Sequence, residues 1–162
     1  MPKNSTLKQS LLNAKFVYNV RPSPVPGDLR MSWGLSVLIF SLFYSRAKKS
    51  SFQKLQFLAH AVRVEAGRDE VRGLLDGRYR PADVSVRVEP SLNRAVSFAH
   101  ALKLVEVSNG VAVKLTDKGV CVAEELTKSD SLLDDERNFL KEVAPKITDA
   151  LMRRVWRMEE AS

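Results

Sequence analysis

Cysteine and histidine are nearly missing from this chain: one Cys, Cys121, and two His, His60 and His100, in 162 residues. A lone thiol builds no disulfide framework, and no second Cys or His stands at metal-ligand spacing, so no zinc site is expected. Gly and Pro number seven each and follow no period, which excludes a collagen-like repeat or a low-complexity chain. No GxxxxGKS or GxxxxGKT run occurs, so the chain lacks that loop for nucleotide phosphates, and any ATP hydrolysis would need a partner. Long apolar runs are also lacking. The longest, Trp33 to Tyr44 (WGLSVLIFSLFY), falls short of the roughly 20 residues that cross a bilayer and reads as a buried core helix. The first residues lack the continuous apolar core and small-residue cleavage site of a signal peptide. A cytoplasmic protein with no membrane partner is expected.

Acidic residues are scarce in one part of the chain only. Residues 1–60 hold nine Lys/Arg against one acid, Asp28, whereas residues 61–116 hold nine against seven and residues 117–162 eight against eleven. The whole excess behind the net charge of +7 therefore sits in the first third. A polyanionic partner would meet that part. Its densest cluster is Arg46, Lys48, Lys49 and Lys54, the candidate for a sequence-independent DNA contact.

What is present is a run of helical and strand patterns. Residues 1–31 read as an N-terminal extension: Leu7, Leu11, Leu12, Phe16, Val17 and Val20 are expected to form a short helix or strand packing on the body, followed by Pro22, Pro24 and Pro26, which forbid a regular helix. Ser32 is the expected cap of a helix to about Ser45. Arg46 to Ser50 reads as a basic turn, and Ser51 as the N-cap of a helix over about Phe52 to Ala66, stopped by Gly67. A short helix is predicted over 69–76, and Val84, Val86 and Val88 alternate with polar residues as in a strand. Pro90 and Ser91 open a helix with Leu92, Ala95, Val96, Ala99 and Leu102 on one face. Two strands then flank Ser108-Asn109-Gly110, a hairpin turn in which Asn-Gly supplies the positive φ angles. LTDKG, residues 115–119, starts a further helix with Val120, Ala123 and Leu126 inward. Residues 131–162 form a C-terminal helical segment whose apolar stripe, Phe139 to Met158, is interrupted by Pro145.

Little of this points to catalysis. Asp134, Asp135 and Glu136 are consecutive, and adjacent helix positions do not face one another, so they read as the acidic first turn of a helix. His60 and His100 read as packed core or boundary histidines, and Cys121 as a small hydrophobe. The chain reads as non-enzymatic, with no catalytic residue, cofactor or metal.

The stretch Leu92 to Leu126 (LNRAVSFAHALKLVEVSNGVAVKLTDKGVCVAEEL) resembles the second half of a winged helix-turn-helix domain. The expected fold is mainly α with a small β-hairpin (α+β): a winged-helix domain over 32–130 between the extension and the C-terminal segment. The helix before the wing offers only Asn93, Arg94, Ser97, His100 and Lys103 as polar groups, the wing tip has no cation, and Glu89 and Glu106 flank it. Such a surface reads bases poorly. With SSFQKLQFL, PSLNRAV and LTDKG in this order, the chain resembles the small middle component of three-component systems built on an SMC-like or Rad50-like ABC ATPase, including Lamassu-type anti-phage or anti-plasmid systems. That resemblance implies an accessory subunit docked on the ATPase and an effector. Trp156 flanked by Arg153, Arg154 and Arg157 is the candidate docking anchor, because Trp and Arg concentrate binding energy. The other reading is a DNA-binding transcriptional regulator contacting its operator through Arg94 and Lys103.

Overall fold

The computed structural model describes residues 27–129 and 133–159. The segment from Leu7 to Val20 and the three prolines lie outside the described residues. Helix α1, Gly27–Phe43, is apolar on nearly every side, and Val37, Leu38, Ile39, Phe40 and Leu42 are fully buried. It begins five residues before Ser32, which is exposed within the helix rather than its cap. Residues 27–31 contain no proline to break a helix.

Ser45 closes α1 by donating from Oγ to the Ser41 carbonyl at 2.7 Å. The basic turn follows as a short 3-10 segment, Arg46–Lys48, with Ala47 at φ 53° and Lys48 at φ 51°. Strand β1, Lys49–Ser51, runs into α2, Phe52–Ala61. Ser51 caps α2 as expected, its Oγ accepting from the Lys54 N–H at 3.4 Å.

The long helix predicted to Ala66 is split. α2 stops at Ala61, Val64 is extended at φ −134° and ψ 150°, and α3 runs over Glu65–Leu75. Gly67 is no stop signal: a Cβ there would lie 2.8 Å from the Ala61 carbonyl oxygen, so the bare glycine lets α3 approach the end of α2. The Val84–Val88 alternation forms no strand. Val84 and Val86 are buried in the core while Val88 is 60% exposed, and among the described residues no strand pairs with them. A period of two reports which face is covered, and a ladder still needs a partner.

Helix α4, Pro90–Ala101, leads into β2, Val105–Ser108, and β3, Ala112–Leu115. The hairpin turns on Asn109 at φ 52° and Gly110 at φ 65°, the twist that two-residue hairpins favour. β1 adds to the other edge of β3, giving an antiparallel sheet of order β1–β3–β2. Helix α5, Asp117–Thr127, is capped by Thr116, whose Oγ1 accepts from the Gly119 N–H at 3.1 Å.

The C-terminal stripe becomes two helices, α6, Asp134–Val143, and α7, Asp149–Glu159, with Pro145 in the turn between. Both fold back. Phe139, Leu140, Val143, Ile147, Met152 and Val155 join Val37, Phe40, Phe57 and Leu58 in one core. A second core packs Leu38, Ile39 and Leu42 against Leu55, α4, the sheet and α5. α1 is the wall common to both, which explains why its sequence has no polar face. The described residues are mainly helical with one small antiparallel sheet.

Candidate functional site

The four cations of the basic cluster differ in exposure: Arg46 and Lys49 are exposed, Lys48 is half-buried and Lys54 is buried. Lys54 is only 6% exposed, with Nζ donating to the Ala144 carbonyl at 2.6 Å, so it is a structural lysine and no DNA contact. Its place in the first turn of α2 faces the core side on which α6 and α7 pack. Burial lowers its pKa, partly opposed by the nearby Asp149 carboxylate and reinforced by Arg46. Lys48 is half-buried and lies 4.2 Å from the centre of the Phe43 ring. Arg46 and Lys49 are the members left exposed.

The C-terminal docking anchor is also taken apart. Trp156 is half-buried against the first core, with its indole Nε1 buried and unpartnered. Arg153 turns to one side of α7, where it shares a cleft of about 660 Å³ with Arg46, Lys49 and Lys54. Arg154 and Arg157 line a smaller one, of about 370 Å³, with Arg80. The two cationic groups thus share one cleft through Arg46, Lys49 and Arg153, and Trp156 is half covered by the first core. Asp149 and Ser51 belong to the same cleft, Ser51 Oγ donating to Asp149 Oδ1 at 2.9 Å. Sequence reasoning missed Asp149, because the residues 98 positions apart are joined only by the return of α7.

The second surface is the outer face of α4 and the hairpin. A polar web fixes the helix in place: the Gln56 amide donates to Asn93 Oδ1 at 2.9 Å, and its carbonyl accepts from the Glu89 N–H at 2.6 Å. Glu89 is held by Arg63 at 2.8 Å and lies 3.2 Å from His60 Nδ1. Its charge is thereby matched within the fold. Arg94, Ser97 and Lys103 are exposed. Between them stand Phe98 at 45% and Leu102 at 39% exposure, with Val107 and Val111 also uncovered on the hairpin. Leu102, expected inward, ends outside because it is the C-cap of α4, where the chain turns away toward β2. Cys121 is exposed rather than packed.

Among the described residues no three His, Cys, Asp or Glu side chains gather as a metal site, and no helix is long and apolar enough to cross a membrane. No protein-family model, no curated protein and no solved structure matches this chain.

Proposed function

We propose that this chain is a winged helix-turn-helix subunit that binds a partner protein rather than a base sequence. The element order α1–β1–α2–α4–β2–β3 and the sheet order β1–β3–β2 support the winged-helix reading, with α3 and the coil after it inserted between the second and third helices. The observation that carries the function is the outer face of α4. Where a DNA reader presents polar and basic groups to base edges, this helix presents Phe98 and Leu102, one turn apart and both exposed. The wing tip of Ser108, Asn109 and Gly110 adds no cation. Exposed aromatic and aliphatic side chains rimmed by Arg94 and Lys103 are the composition of a protein-binding surface.

The partner follows from the resemblance of the sequence to the middle components of ABC three-component systems: an SMC-like ATPase, with its effector, in a bacterial anti-phage or anti-plasmid complex. The chain is a non-enzymatic bridge in this reading. Co-expression with the ATPase and effector genes of its operon tests it. The three proteins co-elute on size exclusion, and the Phe98→Glu/Leu102→Glu variant, folded by circular dichroism, is lost from the complex with at least a tenfold weaker affinity. A wild-type chain that elutes alone from that lysate refutes the reading.

A transcriptional regulator is the alternative, favoured by the exposure of Arg94 and Lys103 on α4. It requires operator DNA to be bound far more tightly than random DNA, with the preference lost in Arg94→Ala.

A further inference from the structure

A cleft opens between β1, the start of α2 and the start of α7. Its volume, about 660 Å³, lies within the roughly 300–1,000 Å³ of small-molecule sites. It gathers Arg46, Lys49, Lys54 and Arg153 around one carboxylate, Asp149. Arg46, Lys49 and Arg153 form no ion pair among the described residues. Converging, unneutralised cations in a cleft hold a standing attraction for an anion.

The helices add to it. α2 and α7, ten and eleven residues long, both begin at this cleft, with Ser51 and Gln53 lining it from one and Thr148 and Asp149 from the other. Their positive dipole ends favour negative charge, although Ser51 Oγ and Thr148 Oγ1 already accept from the Lys54 and Leu151 N–H groups. The other wall is apolar, made by Val111, Ala112, Pro145 and Ile147.

We propose that this cleft binds a nucleoside monophosphate, its phosphate held by Arg46, Lys49 and Arg153 and its base laid on the wall of Val111, Ala112 and Pro145. Inorganic phosphate would fill only a small part of the volume. A phosphate on a flat organic group uses both the cationic and the apolar sides, and Asp149 is placed to accept a hydrogen bond from a sugar hydroxyl or a base amine. The buried ammonium of Lys54 rests at the back, which is a favourable arrangement for an incoming anion because bound phosphate stabilises its charged form. Val111 borders both this cleft and the α4–hairpin surface, but Arg46, Lys49 and Arg153, which hold the phosphate, lie outside the Phe98 and Leu102 surface, so the two readings are tested by different residues.

Isothermal titration of the full chain at low salt with AMP, GMP, CMP and UMP tests the proposal, with the matching nucleosides, inorganic phosphate and a 20-base-pair DNA duplex as parallel arms. At least one monophosphate binds below about 1 mM; its nucleoside does not, because the charge-assisted contacts go to the phosphate, and inorganic phosphate binds more weakly because it leaves the apolar wall unused. Arg46→Gln and Arg153→Gln each weaken binding at least tenfold with an unchanged melting temperature, and Arg154→Gln leaves it unaltered. Absence of binding by all four monophosphates, or undiminished binding by Arg153→Gln, overturns the proposal. Duplex binding that depends on Arg46 and Arg153, without any monophosphate binding, also overturns it and assigns the cleft to backbone phosphates instead.

Discussion

Replacing Lys54 by methionine separates a structural lysine from a nucleic-acid contact. Methionine retains most of the unbranched stem and removes the ammonium. In the folded chain Nζ donates at 2.6 Å to the carbonyl of Ala144, a residue with no exposed surface at the end of α6. Losing that donor strands a buried acceptor, which costs about 1–3 kcal/mol, and relief of the desolvated charge offsets part of it. A net loss of about 2 kcal/mol corresponds to a melting temperature about 4–8 °C lower for a chain of this size. The pH dependence follows from the lowered pKa of Lys54. Between the folded pKa and the unfolded value of 10.5 the unfolded chain binds more protons, so stability rises with pH across that window. The cost of the buried charge is fully present below the folded pKa and fades above it. The advantage of the wild type over Lys54→Met therefore widens from neutral pH toward pH 10. Urea and thermal denaturation followed by circular dichroism at several pH values measure it. A variant that melts within a degree of the wild type, with a pH-independent difference, refutes the reasoning and returns Lys54 to the surface.

Trp156→Phe is nearly neutral, within about 1 kcal/mol, because the lost indole N–H has no partner, whereas Trp156→Ala costs about 2–3 kcal/mol by emptying part of the first core; urea unfolding compares the two. Two glycines respond in opposite senses to alanine, as melting curves will record. Gly119→Ala pushes a methyl into the Leu104 carbonyl and destabilises by about 1–3 kcal/mol. Gly34→Ala meets Ala95 at an ordinary 3.8 Å inside α1 and stabilises by up to about 1 kcal/mol through helix propensity.

Local signals in the chain were faithful where a few adjacent residues settle the matter. The hairpin is written in VEVSNGVAV, since Asn109 and Gly110 tolerate the positive φ that the tight turn needs. Ser51 and Thr116 announce their helices because a cap is satisfied within three residues. α1 is legible because a helix with no polar side has to be buried. The boundary between α2 and α3 was illegible: Gly67 looks like a stop in a linear reading and is a contact point only when α3 folds back on Ala61.

The candidate site lay mostly beyond that reach. Composition placed the cations in residues 1–60 and at the end of the chain, and the period of three and four marked α6 and α7 as amphipathic. Which cation is a surface group is another matter. Lys54 and Arg46 belong to the same basic run, and only the packing of α6 and α7 over the start of α2 buries one and leaves the other in a cleft. The same packing brings Arg153 beside Arg46 and packs Trp156 against the first core. Sequence by itself determined the elements that satisfy their own backbone and the faces that must avoid water. Tertiary structure alone decided which of those faces meet, because burial is a property of the element opposite, and the energy of a charge depends on what lies across from it.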